Sequence, residues 1–488
     1  MELFRDVVSY GLGAVLGLLL IGAVVVMIVH DITQKKHTVL RNFPLIGRLR
    51  YFFETLGEYF RQYFFLNDRE EMPFNRATRS WVYREAKNEG GIIGFGSTND
   101  LGRPGSIIFA NHPYPVLEQD RLPAPPILIG EGYCLHPFEA RSLVNISGMS
   151  FGAISRPAVE ALSRGAAEAG CWMDTGEGGL SPYHLSGGCD VILQIGTANY
   201  GMREPDGRFS MARAKALAPH VKAFEIKLSQ GAKPGKGGVL PASKVTEEIA
   251  GIRGIPVGQD SISPNRHIDI ANVEQLLDRI ARIRDLTGRP VGVKTALGGP
   301  AFMNELCEAI LRRGTDCAPD FLAIDGGEGG TGAAPQTLMD HMALPIAEAL
   351  PQAVDALIRS GLRSRVRVIA AGKLVTSAKA AWALCVGADF VNTARGFMFA
   401  LGCIQSLRCH QNTCPTGITT HNKRLQRGLV VEEKYLRVAN YCRNMNSEID
   451  MIAHACGCRH ARELRREHVR IVHSPNRSVP LDLLHPYP

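Results

Sequence analysis

Eight short runs rich in β-branched residues, alternating with stretches of helical periodicity, constrain this chain of 488 residues most strongly. The runs fall at 143–147, 171–175, 191–195, 223–228, 290–294, 321–325, 366–370 and 390–393, each ending in Gly or a polar residue. Helical patterns occupy 156–169, a short piece near 211–218, then 242–250, 273–287, 302–313, 347–360 and 377–386. Parallel strands need crossover helices, and eight of them close with a filled interior. The fold class expected is therefore α/β, a (β/α)8 TIM barrel, with an open doubly wound sheet as the alternative. No internal repeat or low-complexity tract accompanies it.

In a barrel, function sits at the C-terminal ends of the strands. Those ends carry Ser147-Gly-Met-Ser-Phe-Gly152, Thr175-Gly-Glu-Gly-Gly179, Gly196-Thr-Ala-Asn-Tyr-Gly201, Ser229-Gln-Gly-Ala-Lys-Pro-Gly-Lys-Gly-Gly238 and Asp325-Gly-Gly-Glu-Gly-Gly-Thr-Gly332. A single glycine-rich loop is as often a tight turn as a site. Five at equivalent strand ends point to backbone amides approaching an anionic or planar ligand. The last run is not a Walker A loop, because no Gly-Lys-Ser/Thr follows, and it lacks a dinucleotide fingerprint's context.

A cofactor phosphate would fall at the loops after strands seven and eight, Ala370-Ala-Gly-Lys373 and Asn392-Thr-Ala-Arg-Gly396, with Lys373 or Arg395 assisting. Lys294, at the end of strand five, is either a cation beside a flavin ring or an ordinary ion-pair partner.

Cys403, Cys409 and Cys414 lie within twelve residues, with Pro415 directly after the last. Such spacing lets one loop wrap an iron–sulfur cluster. A disulfide with a spare thiol, or plain buried cysteines, are the alternatives, and a four-cysteine zinc site lacks its fourth ligand nearby. Cys442, Cys456 and Cys458 read as structural.

The segment 7–29 has no charged residue and is long enough to cross a bilayer once. A cleaved signal peptide fits less well, because the leader is not basic and no small-x-small site follows. Only Arg5 precedes the span, whereas Lys35, Lys36, Arg41, Arg48 and Arg50 follow it, which places the large C-terminal part in the cytoplasm of a single-pass inner-membrane protein. The aromatic-rich stretch 51–65 is either a helix on the membrane surface or a docked core helix. Twelve cysteines scattered through 488 residues suit a reducing compartment. The formal charge of +8, without basic–aromatic interleaving, disfavours nucleic-acid binding.

Taken together, Ser150-Phe-Gly-Ala-Ile-Ser155, Thr175-Gly-Glu-Gly-Gly179, Glu225-Ile-Lys-Leu-Ser-Gln-Gly-Ala-Lys-Pro-Gly-Lys-Gly-Gly238, Ile262-Ser-Pro264, Gly326-Gly-Glu-Gly-Gly-Thr-Gly332 and the three cysteines resemble the FMN-binding synthase domain of glutamate synthase. The resemblance implies a barrel carrying FMN and a [3Fe-4S] cluster. Cys403, Cys409 and Cys414 would be the cluster ligands. Ser147, Met149, Thr175, Gln194, Lys294, Gly330, Thr331 and the loops at Gly372 and Arg395 would surround FMN. Glu177, with Lys227 or Lys233, would face a 2-oxo acid, and Glu177, Lys233 and Lys294 would be the catalytic side chains, Glu177 as proton donor.

The division expected is an anchor at 1–30, a juxtamembrane helical or irregular segment at 31–139, the barrel with its iron–sulfur loop at 140–425, and a helical tail at 426–488. Residue 2 is Glu, whereas the family's glutaminase domain begins with a nucleophilic cysteine, so ammonia or an amine would come from a partner. The strand-eight loop reads Asn392-Thr-Ala-Arg395 where the family tends to Gly-Phe-Gly-Ser. The function implied is reductive amination of 2-oxoglutarate or a related 2-oxo acid in glutamate biosynthesis, with electrons from a ferredoxin or a reductase subunit. An N-substituted glutamate synthase subunit, or a membrane-attached electron-transfer or scaffold subunit, are the alternatives.

Overall fold

The computed structural model describes the backbone of residues 1–488, and all side chains except those of residues 2–4 and 6–9. The chain forms two compact units, Met1–Thr78 and Arg79–Pro488.

In the first unit the helix Glu2–Thr33 contains the apolar stretch Tyr10–Thr33, whose most apolar 18 residues have mean hydropathy 3.0 and no burial. Such a helix has the length and composition to cross a membrane, as signal sequences also do. Its end is tied to the helix Ile46–Phe60 by the fully buried Asp31 carboxylate, which accepts from Arg48 Nη2 at 2.6 Å, Arg48 Nε at 2.9 Å and the Leu45 N–H at 3.1 Å. The aromatic stretch continues that helix through a single wide turn, Arg61–Phe65, and Phe52, Phe53, Phe64 and Phe65 are all exposed.

The second unit is built on a closed barrel of eight parallel strands. These are β1 (Val144–Ile146), β2 (Met173–Asp174), β3 (Val191–Ile195), β4 (Ala223–Lys227), β5 (Val291–Thr295), β6 (Phe321–Asp325), β7 (Arg367–Ala371) and β8 (Phe390–Thr393). Each pairs with its neighbour in sequence, and β8 pairs with β1 to close the ring. Helices such as Arg156–Ala169, Val273–Thr287 and Ile346–Arg359 form the crossovers.

The lower end of the barrel is plugged. A short antiparallel hairpin, Ile127–Ile129 with Phe138–Ala140, lays Ile129, Phe138 and Ala140 against Trp172, Phe321 and Phe390. Glycine at 292 makes this possible, since a Cβ there would stand 2.2 Å from the Phe321 ring. Burying these apolar side chains stabilises the closed barrel.

The long helix Val431–Ala455 lies against the helix Arg156–Ala169 and the β8 side of the barrel. Gly165 admits Val438, and Gly396 admits the Tyr441 ring, whose hydroxyl donates to the Val375 carbonyl at 2.9 Å. Beyond that helix the chain adds two strands, Val469–Ser474 and Arg477–Pro480, which join Ile107–Phe109 in a three-stranded antiparallel sheet.

Candidate active site

The strand order brings nine of the singled-out residues to one cleft at the C-terminal mouth of the barrel: Met149, Glu177, Gln194, Lys227, Lys233, Gly330, Thr331, Arg395 and Cys409. Ser147, Thr175 and Lys294 are buried at the same strand ends, and Gly372 packs the β7 loop against Gly326 of the β6 loop. Gly176, at φ +65°, turns the β2 loop so closely over Ser150 that a Cβ would stand 2.6 Å from its N–H nitrogen. That turn aims Glu177 across the mouth.

Glu177 sits between two lysines. Lys227 Nζ donates to Oε2 at 2.9 Å, and Lys233 Nζ lies 3.7 Å from Oε1. Burial pushes the Glu177 carboxyl up, but Lys227 and Lys233 outweigh it and hold the group at about 2. Glu177 is therefore an ionised carboxylate with no proton to donate. The proton donors beside it are the two ammonium groups. Gln230 accepts from Lys227 at 2.5 Å, and Arg253, buried by the cleft, adds a third cation, donating to Ser150 Oγ at 3.3 Å.

Below the cleft lies a second polar cluster. Lys294 Nζ donates to Ser147 Oγ at 3.4 Å. Burial alone would lower its affinity for a proton, yet Asp325, Glu225 and Asp174 raise it above the usual lysine range. Gln194 Nε2 donates to Glu225 Oε1 at 2.7 Å and to Asp174 Oδ2 at 3.2 Å. Burial, followed by the Asp174 charge, pushes Glu225 up to about 8, and burial also raises Asp174. Glu225 therefore keeps its proton near neutrality, beside the Asp174 carboxyl.

The cysteine loop borders this cleft. Arg395 donates from Nη2 to the Thr331 carbonyl, and its Nη1 lies 3.8 Å from Cys409 Sγ. Lys244, wholly buried, donates to the carbonyls of Ala153 at 2.8 Å and Cys409 at 3.2 Å. Burial raises the Cys403 thiol to about 11, with Arg395 pulling against it, whereas Cys414 is lowered overall despite burial, helped by Thr416 Oγ1 at 3.3 Å. Gln405, Leu407 and Asn412 all hold positive φ, a concentration of strained backbone in one loop. Among the described residues no three His, Cys, Asp or Glu side chains converge as ligands of a single metal ion.

Residues 117–459 match the family described as the conserved region in glutamate synthase. The chain belongs to that glutamate synthase family. It is 41% identical over 482 residues to the glutamate synthase large subunit-like protein YerD of Bacillus subtilis, covering 90% of this chain and 91% of that one. It is 36% identical over 330 residues to the archaeal glutamate synthase [NADPH] of Methanocaldococcus jannaschii, covering 67% of this chain and 61% of that one. Among solved structures a mandelate oxidase aligns at 16% identity over 81% of this chain and 92% of that one, with a TM-score of 0.42, too loose a likeness to carry an argument. Family membership makes this chain a glutamate synthase-like oxidoreductase.

Within this glutamate synthase-like site, Asp174, Arg253 and Lys244 were not singled out in the sequence, and Glu225 entered only as part of a motif. A signal for Glu225 was present: a carboxylate flanked by Phe224 and Ile226 in a five-residue strand, all of it buried, must meet polar partners inside the barrel. Its register neighbour across β3 is Gln194.

Proposed function

We propose that this protein is a membrane-tethered FMN and iron–sulfur oxidoreductase that reductively aminates 2-oxoglutarate or a related 2-oxo acid, with ammonia or an amine supplied by a partner. The observation that carries the reading is the bracketing of Glu177 by Lys227 and Lys233 at the cleft, with Arg253 beside them.

A 2-oxo dicarboxylate needs fixed cations, and these three supply them once its carboxylates compete with Glu177 for the lysines. As a carboxylate, Glu177 can accept a hydrogen bond from incoming ammonia and hold it in place, while a lysine Nζ gives a proton to the carbonyl oxygen as it leaves as water. The residues suit the implied cofactors. Gly148 and Gly238 keep side chains out of the cleft, where a Cβ would stand 2.8 Å from Gln194 Nε2 and 2.4 Å from Glu177 Oε1 respectively, and Lys294 offers a buried cation to an electron-rich ring. The cysteine loop, with its turned backbone and two adjacent cations, suits a multi-iron anion whose irons each take one thiol. When bound, FMN supplies hydride transfer and the cluster supplies single electrons.

The electron donor in this reading is a ferredoxin or a reductase subunit, and the helix Glu2–Thr33 anchors the chain in the inner membrane with the barrel in the cytoplasm. The test is flavin reoxidation. Protein purified anaerobically and reduced is mixed with a panel of 2-oxo acids plus ammonia or methylamine. Rapid reoxidation by one pair is expected, and no reoxidation by any pair would sink the proposal.

A further inference from the structure

The geometry points to Arg395 as a positioning residue for electron transfer, a fixed cation that joins the cysteine loop to the cleft and sets the potential at which that loop's cluster is reduced. The inference rests on the cluster reading above and goes beyond it, since it gives Arg395 a role toward the cluster and not toward a cofactor phosphate.

Three observations converge on it. Arg395 is anchored at both ends of its reach, with Nη2 donating to the Thr331 carbonyl of the β6 loop and Nη1 lying 3.4 Å from Met398 Sδ and 3.8 Å from Cys409 Sγ. Room for it is made by Gly330, where a Cβ would stand 3.0 Å from Arg395 Nε and 3.3 Å from its Cγ. Among the three cysteines, Cys409 alone lines the cleft, and Arg395 lines it beside Cys409. The electron-carrying loop thus meets the cleft at Cys409, and the guanidinium stands at that junction.

The physical consequence follows from charge. Adding one electron makes a cluster more negative by one unit, and a guanidinium held close to a ligating sulfur favours that form. Arginine serves better than lysine here, because its fork reaches the Thr331 carbonyl and the sulfur together and stays charged. Lys244 holds the same cysteine from its backbone carbonyl, so the loop keeps its place when the Arg395 side chain is changed.

The test compares the full chain with Arg395→Gln and Arg395→Lys after anaerobic reconstitution with iron and sulfide, following cluster reduction by EPR-monitored redox titration. Arg395→Gln should retain its iron and sulfide content and titrate at a lower potential, by about tenfold in the reduction equilibrium, which is about 59 mV for one electron. Arg395→Lys should recover part of that shift. An Arg395→Gln protein that carries a full cluster and titrates with the parent overturns the proposal. A parent chain that yields no cluster signal overturns the cluster reading itself, and the role of Arg395 with it.

Discussion

Lys227 Nζ lies 2.9 Å from Glu177 Oε2, joining the ends of two strands across the barrel mouth. The pair, with Lys233, leaves Glu177 titrating at about 2 against an ordinary 4.5. A carboxyl whose folded value is depressed stabilises the protein above its unfolded value and loses that contribution as pH falls through the folded one. Unfolding measurements should therefore show stability declining between about pH 4.5 and pH 2. Glu177→Gln should flatten that decline and, by leaving Lys227 and Lys233 facing each other, cost about 3 kcal/mol at pH 7.

Glu225 carries the opposite sign. Its folded value of about 8 stands above the ordinary 4.5, so the folded state holds a proton that the unfolded chain has released. The stability it contributes is complete below about pH 4.5 and is lost as pH rises through about 8. In flavin-free protein, thermal unfolding should show a falling melting temperature across that window. Glu225→Gln should remove the fall and be more stable than the parent at pH 8; an unchanged slope would place the raised group elsewhere.

Gly165 is where the C-terminal helix meets the barrel. A Cβ there would stand 2.5 Å from Val438 and 2.7 Å from the Tyr435 carbonyl. Gly165→Ala should destabilise by about 2 kcal/mol through overpacking, and Val438→Ala in the same chain should recover part of it. Denaturant unfolding of the two variants and the parent measures both effects.

The stretch Tyr10–Thr33 predicts fractionation. A chain beginning after residue 33 should leave the membrane fraction for the soluble one, while the full chain should resist carbonate extraction. Recovery of the full chain in the soluble fraction would contradict the anchor.

Much of the barrel was legible in the sequence because its strands are buried on both faces and read as apolar runs. The expected bounds of β3, β6 and β8 coincide with those observed. β2 is expected at 171–175 and pairs only at Met173–Asp174, with Trp172 packed into the aromatic base, 4.9 Å between ring centres from Phe390. The helix expected at 242–250 is split. Ala242–Lys244 forms a single tight turn, Lys244 being taken by the carbonyls of Ala153 and Cys409, and a new helix, Glu247–Arg253, starts at the Thr246 cap.

The base hairpin escaped notice because strands of three residues are too short to show alternation. In the site, glycine spacing revealed the loops and the strand ends their cations, but the pairing of Glu177 with Lys227 spans 50 residues of sequence and exists only once the barrel closes. Its protonation follows from that pairing. The expectation of Glu177 as proton donor has this pairing against it, since Lys227 and Lys233 hold its carboxyl at about 2.

The plugged base has a further consequence. With Phe138, Trp172, Phe321 and Phe390 sealing the lower end, the buried cluster of Asp174, Glu225 and Lys294 is closed from below and faces the mouth alone of the barrel's two ends.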